Sequence, residues 1–316
     1  MYAIGIDIGG TSIKWGLVSE QGKVITTDSM ETIKGEHQNV TADRLCDRLE
    51  EFIQKCNVNK SDIIGIGIGS PGMVDSKNGE IVYSNNLDWN FFPLAQIMEN
   101  KLGLQVKIGN DANVATLGEV KFGAGQKYKN VIMLTLGTGV GGGIVIDGKL
   151  IDGNKGGGAE LGHATVKFDS DLQCTCGRYG CLEVYASATA LIRQTKEAME
   201  KHPESKMWDV VDHQIEKVNG KTVWDGYDLN DETAIEVVNT YIYYLGEGIL
   251  NYCNIFRPEA LVLSGGIAKQ GQRLIDLLTT FCEERHYGYG GTAPVKLLIA
   301  ELGYESGIIG AASLVL

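Results

Sequence analysis

One pattern occurs twice in this chain and constrains its fold more than any other feature. "AIGIDIGGTSIKWGLVSEQGKVI" (residues 3–25) and "VIMLTLGTGVGGGIVIDGKLI" (131–151) each run from an apolar strand through a glycine–threonine turn into a second apolar strand. Both close on Gly-Lys, an apolar residue and Ile. Apolar residues alternating around a tight glycine turn predict a β-hairpin. A hairpin that returns one domain-length later predicts two related units. Beyond the first hairpin the pattern alternates. Leu45, Leu49, Phe52 and Cys56 recur at helical spacing, and "IIGIGIGSPG" reads as a strand ended by a Gly/Pro break. "LQVKIGNDANVATLGEVKF" reads as strand, polar junction and helix, with Asn110 or Asp111 able to cap the helix. Such alternation predicts an α/β fold.

Glycines and lysines cluster in "KFGAGQKYKN", where the helix after Asp111 should end and a boundary is expected. The expected domains are 1–117, completed by the C-terminal helix 305–316, and 118–304, which carries a cysteine-rich loop at 163–183. Residues 201–230 are polar and weakly periodic, and a loop with short helices is expected there. "DETAIEVVNTYIYYLGEGILNYCNIFRP" predicts a long helix stopped by Pro258, and "ALVLSGGIAKQGQRLIDLL" a strand, a Gly-Gly turn and a helix.

Charge narrows the choice of partners. The net charge of −12 opposes binding to a phosphate backbone, whose affinity rests on Lys and Arg, so no nucleic-acid partner is expected. "VIMLTLGTGVGGGIVI" is short for a membrane span and is broken by glycines, and "MYAIGIDIGG" has no export signal. A soluble, cytoplasmic protein without a membrane partner is expected, its thiols free or metal-bound. Cys46, Cys56, Cys253 and Cys282 lie in apolar-periodic stretches and read as core residues.

Glycine turns follow predicted strands in "DIGGTSIK" (7–14), "LGTGVGGG" (136–143) and "LSGGIA" (263–268). Glycine permits close backbone approach, so successive N–H groups can converge on an anion, with Thr11, Lys14 and Thr138 adding donors. A single turn of this kind is usually just tight; several, in two related frames, suggest a nucleotide. No G-x-x-x-x-G-K-[ST] motif is present, which excludes a P-loop enzyme. Asp7, at the end of the first strand, can order Mg²⁺ through water, orient Lys14, or only stabilise its own turn. Asp111 can cap a helix, or act as a general base that takes a hydroxyl proton during attack on phosphorus.

Glu160 and His163 are three residues apart, on one face if the segment turns helically. Glu160 and Glu183, with Asn110 and Asp111, form a set of donors and acceptors suited to a polyhydroxylated ligand, although an isolated Glu is more often only solvated. Cys174, Cys176 and Cys181 read C-x-C-x₄-C with His163 upstream. Four N/S ligands match a closed structural zinc site; a thioredoxin-like pair would be spaced C-x-x-C.

Taken in order, "DIGGTSIKWG", "GSPGMVD", "NNLDW", "GNDANVATLGE", "LGTGVGGGIVIDGKLI", "GAELGH", "CTCGRYGCLEVYAS", "LSGGIA" and "GYESGIIGAA" resemble the ROK family of repressors and sugar kinases over essentially the whole chain. "NNLDW", "AELGH" and "CLEVYASATAL" look most like its bacterial glucokinases. The resemblance implies an actin/hexokinase-like ATPase fold (ribonuclease H-like), two lobes closing on hexose and ATP, and often a homodimer or higher homo-oligomer. It implies Asp111 as the base, with Asn110, Glu160, His163 and Glu183 binding sugar hydroxyls and Gly72, Asn85 and Asn86 lining the pocket. His163, Cys174, Cys176 and Cys181 would hold structural Zn²⁺. Asp7, Gly9, Gly10, Thr11, Lys14, Gly137, Thr138, Gly139, Gly265 and Gly266 would surround ATP and Mg²⁺. Where related glucokinases usually have "NDAG", this chain has Tyr304-Glu305-Ser306-Gly307.

The expected activity is ATP-dependent phosphorylation of a hexose, glucose to glucose 6-phosphate. Its rivals are kinases for N-acetylmannosamine, fructose, allose or a β-glucoside, and a sugar-responsive regulator without kinase activity. The regulators of the family place a helix-turn-helix before the kinase-like part; here the first strand is expected from Tyr2, and the acidic charge also favours the kinase.

Overall fold

The computed structural model describes residues 1–288 and 291–316. In chain order the elements are β1 (Tyr2–Ile8), β2 (Ser12–Ser19), β3 (Val24–Glu31), α1 (Gln38–Lys55), β4 (Ile63–Ser70), β5 (Met73–Asp75), β6 (Glu80–Ser84), β7 (Trp89–Phe92), α2 (Leu94–Leu102), β8 (Val106–Asn110) and α3 (Asp111–Phe122). There follow β9 (Val131–Leu136), β10 (Val140–Ile146), β11 (Lys149–Leu150), α4 (Glu183–Ala186), α5 (Ala188–Lys201), α6 (Met207–Val210), α7 (Thr222–Asp228) and α8 (Glu232–Phe256). The chain ends with β12 (Ala260–Ser264), α9 (Gln272–Arg285), β13 (Lys296–Ile299) and α10 (Ser306–Ala312).

Two five-stranded sheets have the same plan, β3-β2-β1-β4-β8 and β11-β10-β9-β12-β13. In each, the first strand is central, the next two lie to one side and the last two to the other. The repeat read in the sequence is thus a repeat of topology, that of the actin/hexokinase-like, ribonuclease H-like fold. In the first sheet β1 and β2 are antiparallel, with Ile6 opposite Trp15 and Asp7 opposite Lys14, while β4 and β8 run parallel. β5, β6 and β7 form a small antiparallel sheet of their own.

Packing divides the chain into a first unit of 1–132, 143–159 and 300–316 and a second of 133–142 and 160–299. This partition differs from a cut at residue 117. Helix α3 runs past that point and packs on α10, and the 143–159 segment returns to α3: a side-chain carbon at Gly143 would fall 2.1 Å from Thr116 Oγ1.

Strand alternation sorts the faces of the first unit. Ile4, Ile6, Ile13, Trp15, Ile66 and Ile68 form one buried cluster with Leu45, Leu49 and Phe52 of α1. Ala3 and Val18 turn to the other face and meet Ile308 and Ala312 of α10. Glycine makes that second contact possible. A side-chain carbon at Gly5 would lie 1.9 Å from the Ile308 carbonyl oxygen, and one at Gly67 1.8 Å from that of Ala311, so the backbone of α10 rests directly on the sheet.

In the second unit α8 is one long helix. Asp231 caps it by accepting from Ala234 N–H, and the same carboxylate holds Ser205 Oγ and Lys206 N–H. Residues 201–230, polar in sequence, still bury Met207, Val223 and Trp224, because α6 and α7 turn their few apolar side chains inward and α7 packs on α8. Cys46 and Cys282 are buried, whereas Cys56 and Cys253 are only half-buried. Among the described residues no helix is long and apolar enough to cross a membrane.

Gly67→Ala forces a methyl group into the α10 backbone, and overpacking of this kind costs about 1–3 kcal/mol or more. Denaturant unfolding should show a loss at the upper end of that range; an unchanged midpoint would contradict the close approach.

Candidate active-site residues and metal cluster

Strand β8 passes directly into α3, and the first N–H groups of a helix lack intrahelical partners. Asn110 supplies the cap. Its Oδ1 accepts from Ala112 N–H at 3.0 Å and Asn113 N–H at 3.2 Å, while its Nδ2 donates to the Gly72 carbonyl at 3.0 Å. Asp111 is then the exposed first residue of α3, one carboxylate oxygen accepting from Ala112 N–H at 2.8 Å. Asn113 is buried and turned elsewhere, donating to Asp152 Oδ1 at 3.3 Å; Asp152 Oδ2 accepts from Ser76 Oγ at 2.6 Å.

Gly72 has φ of +97°, and a side-chain carbon there would meet the Tyr83 carbonyl oxygen at 2.2 Å. Only glycine serves at this point. The contact seats Gly72 on the end of β6, just before the exposed Asn85 and Asn86, and a carbon at Gly10 would lie 3.9 Å from Asn86 Cβ. The first unit therefore gathers Asn110, Gly72, Asn85, Asn86 and Gly10 into one neighbourhood. The turn from Gly9 to Thr11 is tied down by Gly9 N–H on Ser12 O (3.0 Å), Thr32 Oγ1 on Gly9 O (2.7 Å) and Thr32 N–H on Thr11 O (3.1 Å). Beside it, burial pushes the Asp7 carboxyl above its ordinary range, with Lys14, its cross-strand neighbour, pulling the other way. Gly307 keeps the contact of α10 with this residue: a carbon there would fall 2.5 Å from Asp7 Oδ2.

In the second unit the turn at Gly137, Thr138 and Gly139 is held from outside by one short segment. Ala188 N–H donates to Gly137 O at 2.8 Å, Thr189 Oγ1 to Thr138 O at 2.8 Å, and Val140 N–H to Glu183 Oε2 at 3.0 Å. Gly265 is seated against the Leu136 backbone, which brings the Gly265–Gly266 turn next to Gly137.

Glu160, exposed, starts a single 3-10 turn that ends at His163, so the two are joined by one tight turn rather than an α-helix. His163 and the three cysteines converge, with all four donor atoms within 4.8 Å of one another. Cys174 Sγ lies 3.5 Å from His163 Nδ1, and Cys176 Sγ 3.7 Å from Cys181 Sγ. Tetrahedral zinc, with Zn–S near 2.3 Å and Zn–N near 2.0 Å, sets its ligand atoms roughly 3.5–3.8 Å apart, so donor set and spacing both fit a closed site. Nδ1 is the ring nitrogen beside Cys174 Sγ, which leaves Nε2 for a partner outside the cluster. Burial and the neighbouring thiols push the Cys181 thiol up to about 12, and burial raises Cys174. A metal must displace those protons, so its affinity rises with pH.

Several residues here had no signal in the sequence. Glu119 is a buried carboxylate that accepts from the N–H groups of Ala124 (2.9 Å), Glu301 (3.1 Å) and Leu302 (2.9 Å), pinning the C-terminal segment to α3. Thr189 and Asp152 likewise act through partners far away in sequence. By contrast, Asn110 and the cysteines are read from local motifs, and Gly72 from the family resemblance.

One zinc ion per chain should bind metal-free protein in a competition titration against a chromophoric chelator. Cys176→Ser should weaken that binding by more than about 100-fold, since even the outer partners of metal ligands are worth 10–100-fold. Undiminished affinity would remove Cys176 from the site.

The ROK family model matches residues 3–316. A glucokinase of Halalkalibacterium halodurans is 37% identical over 99% of this chain and 94% of that protein. A xylose repressor of Bacillus spizizenii is 32% identical over 100% of this chain and 77% of that protein. Among solved structures, a ROK family glucokinase from Streptomyces griseus in complex with glucose and AMPPNP has a TM-score of 0.80 and 33% identity, covering 100% of this chain and 99% of that one. By its motifs, its doubled topology and these likenesses, the chain belongs to the ROK family.

Proposed function

We propose that this protein transfers the γ-phosphoryl group of ATP to the 6-hydroxyl of a hexose, with glucose as the acceptor. The observation that carries the reading is the β8–α3 junction. Asn110 does the capping, and Asp111 presents an exposed carboxylate at the helix start, where a general base is wanted. The glucokinase among its relatives and the glucose- and AMPPNP-bound neighbour support sugar and nucleotide as the ligands.

In this mechanism Asp111 accepts the proton of the 6-hydroxyl as that oxygen attacks phosphorus in line. Asn110, Glu160, Glu183 and His163, through Nε2, hold the other hydroxyls, and Gly72, Asn85 and Asn86 line the sugar. N–H groups of the Gly9–Thr11, Gly137–Gly139 and Gly265–Gly266 turns, with Lys14, lie against the phosphates and offset their charge. Magnesium bound with ATP supplies further positive charge there. Asp7, at the end of β1 beside the first glycine turn, is the residue that would order the waters of such a cation. Zinc on His163, Cys174, Cys176 and Cys181 supplies structure, fixing the tautomer and direction of His163.

Asp111→Asn should lower phosphoryl transfer by about 10²–10⁴-fold, the usual worth of a general base, while glucose still binds by calorimetry. Turnover like that of the unmodified protein would overturn the assignment. A hexose panel read by coupled ADP release names the acceptor. Sugar binding without any phosphorylation would instead favour the regulator.

A further inference from the structure

We infer that the cysteine cluster acts on the nucleotide, because Thr175 and Glu183 join it to the Gly137–Gly139 turn; this deepens the kinase reading and rests on that turn receiving the ATP phosphates. Thr175 lies between two of the cluster's sulfur ligands, Cys174 and Cys176, and its hydroxyl donates to Glu183 Oε1 at 3.1 Å. The other carboxylate oxygen, Oε2, accepts from Val140 N–H at 3.0 Å, and Val140 follows directly on the turn. Nor is there slack beside it: a side-chain carbon at Gly139 would meet Glu183 Oε2 at 2.3 Å. One carboxylate thus touches the metal loop with one oxygen and the turn with the other.

Metal binding decides how firmly this link is held. Cys174 Sγ is the second donor within reach of Oε1, at 3.4 Å. A ligating thiolate has no proton to give, so in the loaded protein Thr175 is the one of these two donors that still holds Oε1. Residues 175–179 are exposed, and ordering such a segment carries an entropic cost that the metal, fixing Cys174 and Cys176 on either side of Thr175, offsets. With the metal bound, Glu183 stands still and Val140 N–H keeps its partner, which holds the preceding amides in a phosphate-binding conformation. An ionised carboxylate has about four acceptor positions, so this work leaves Glu183 able to take a sugar hydroxyl as well. Thr175 is therefore a positioning residue for the nucleotide, although it belongs to the metal loop.

The test uses the full chain loaded with zinc and a non-hydrolysable ATP analogue with Mg²⁺. Thr175→Val is nearly isosteric at an exposed position and removes no metal ligand. Calorimetry should show its Kd for the analogue raised roughly three- to tenfold, the net worth of one ordinary hydrogen bond, with Thr175→Ser restoring it. Coupling is reciprocal, so saturating analogue should tighten zinc by a similar factor in the unmodified protein and not in Thr175→Val. A merely structural threonine would not produce that second result. Unchanged nucleotide affinity in Thr175→Val, or zinc affinity indifferent to the analogue in the unmodified protein, overturns the coupling and leaves the kinase reading standing. If the unmodified protein binds no analogue at all, the kinase reading falls and the coupling with it.

Discussion

The first unit is organised around the contact of a helix backbone with a sheet backbone. Because Gly5 and Gly67 carry no side chain, α10 lies on β1 and β4 at a distance that any Cβ would forbid. From that contact the rest follows. Gly307 arrives beside Asp7, the C-terminal residues close the face of the sheet opposite α1, and Glu119 gathers the N–H groups of Glu301 and Leu302. A segment distant in sequence becomes part of the surroundings of the first glycine turn.

The second unit solves a related problem with polar groups. A glycine turn is a poor structure by itself, since glycine loses the most conformational freedom on ordering. Here Glu183, Ala188 and Thr189, all from the segment just after the last clustered cysteine, hold the 137–140 backbone by a carboxylate, an N–H and a hydroxyl. The cluster and the turn are neighbours through seven residues of chain, which is why "CLEVYASAT" is informative far beyond its cysteine.

Much of this was legible beforehand because it is local. A C-x-C-x₄-C run has few uses, a hairpin needs its glycine turn, and an Asn-Asp pair between strand and helix must cap it somehow. What local reasoning left open was the division of labour: Asn110 caps, Asp111 stands exposed, and Asn113 turns inward to Asp152. The stretch 201–230 hid its packing because its apolar residues are few and irregularly spaced. Met207, Val223 and Trp224 find each other's neighbourhood only once α8 provides a surface.

The sequence by itself determined the class of fold, its internal duplication, the glycine turns and the members of the Cys/His cluster, since periodicity, turn chemistry and motif spacing are properties of short stretches. Only the tertiary structure decided which carboxylate does which work. Glu119 reads like any helical glutamate, yet it is buried on three N–H groups, and Glu183 bridges a turn more than forty residues upstream to a hydroxyl eight residues away. A carboxylate's role is set by the donors around it, and those donors come from parts of the chain that only folding brings together.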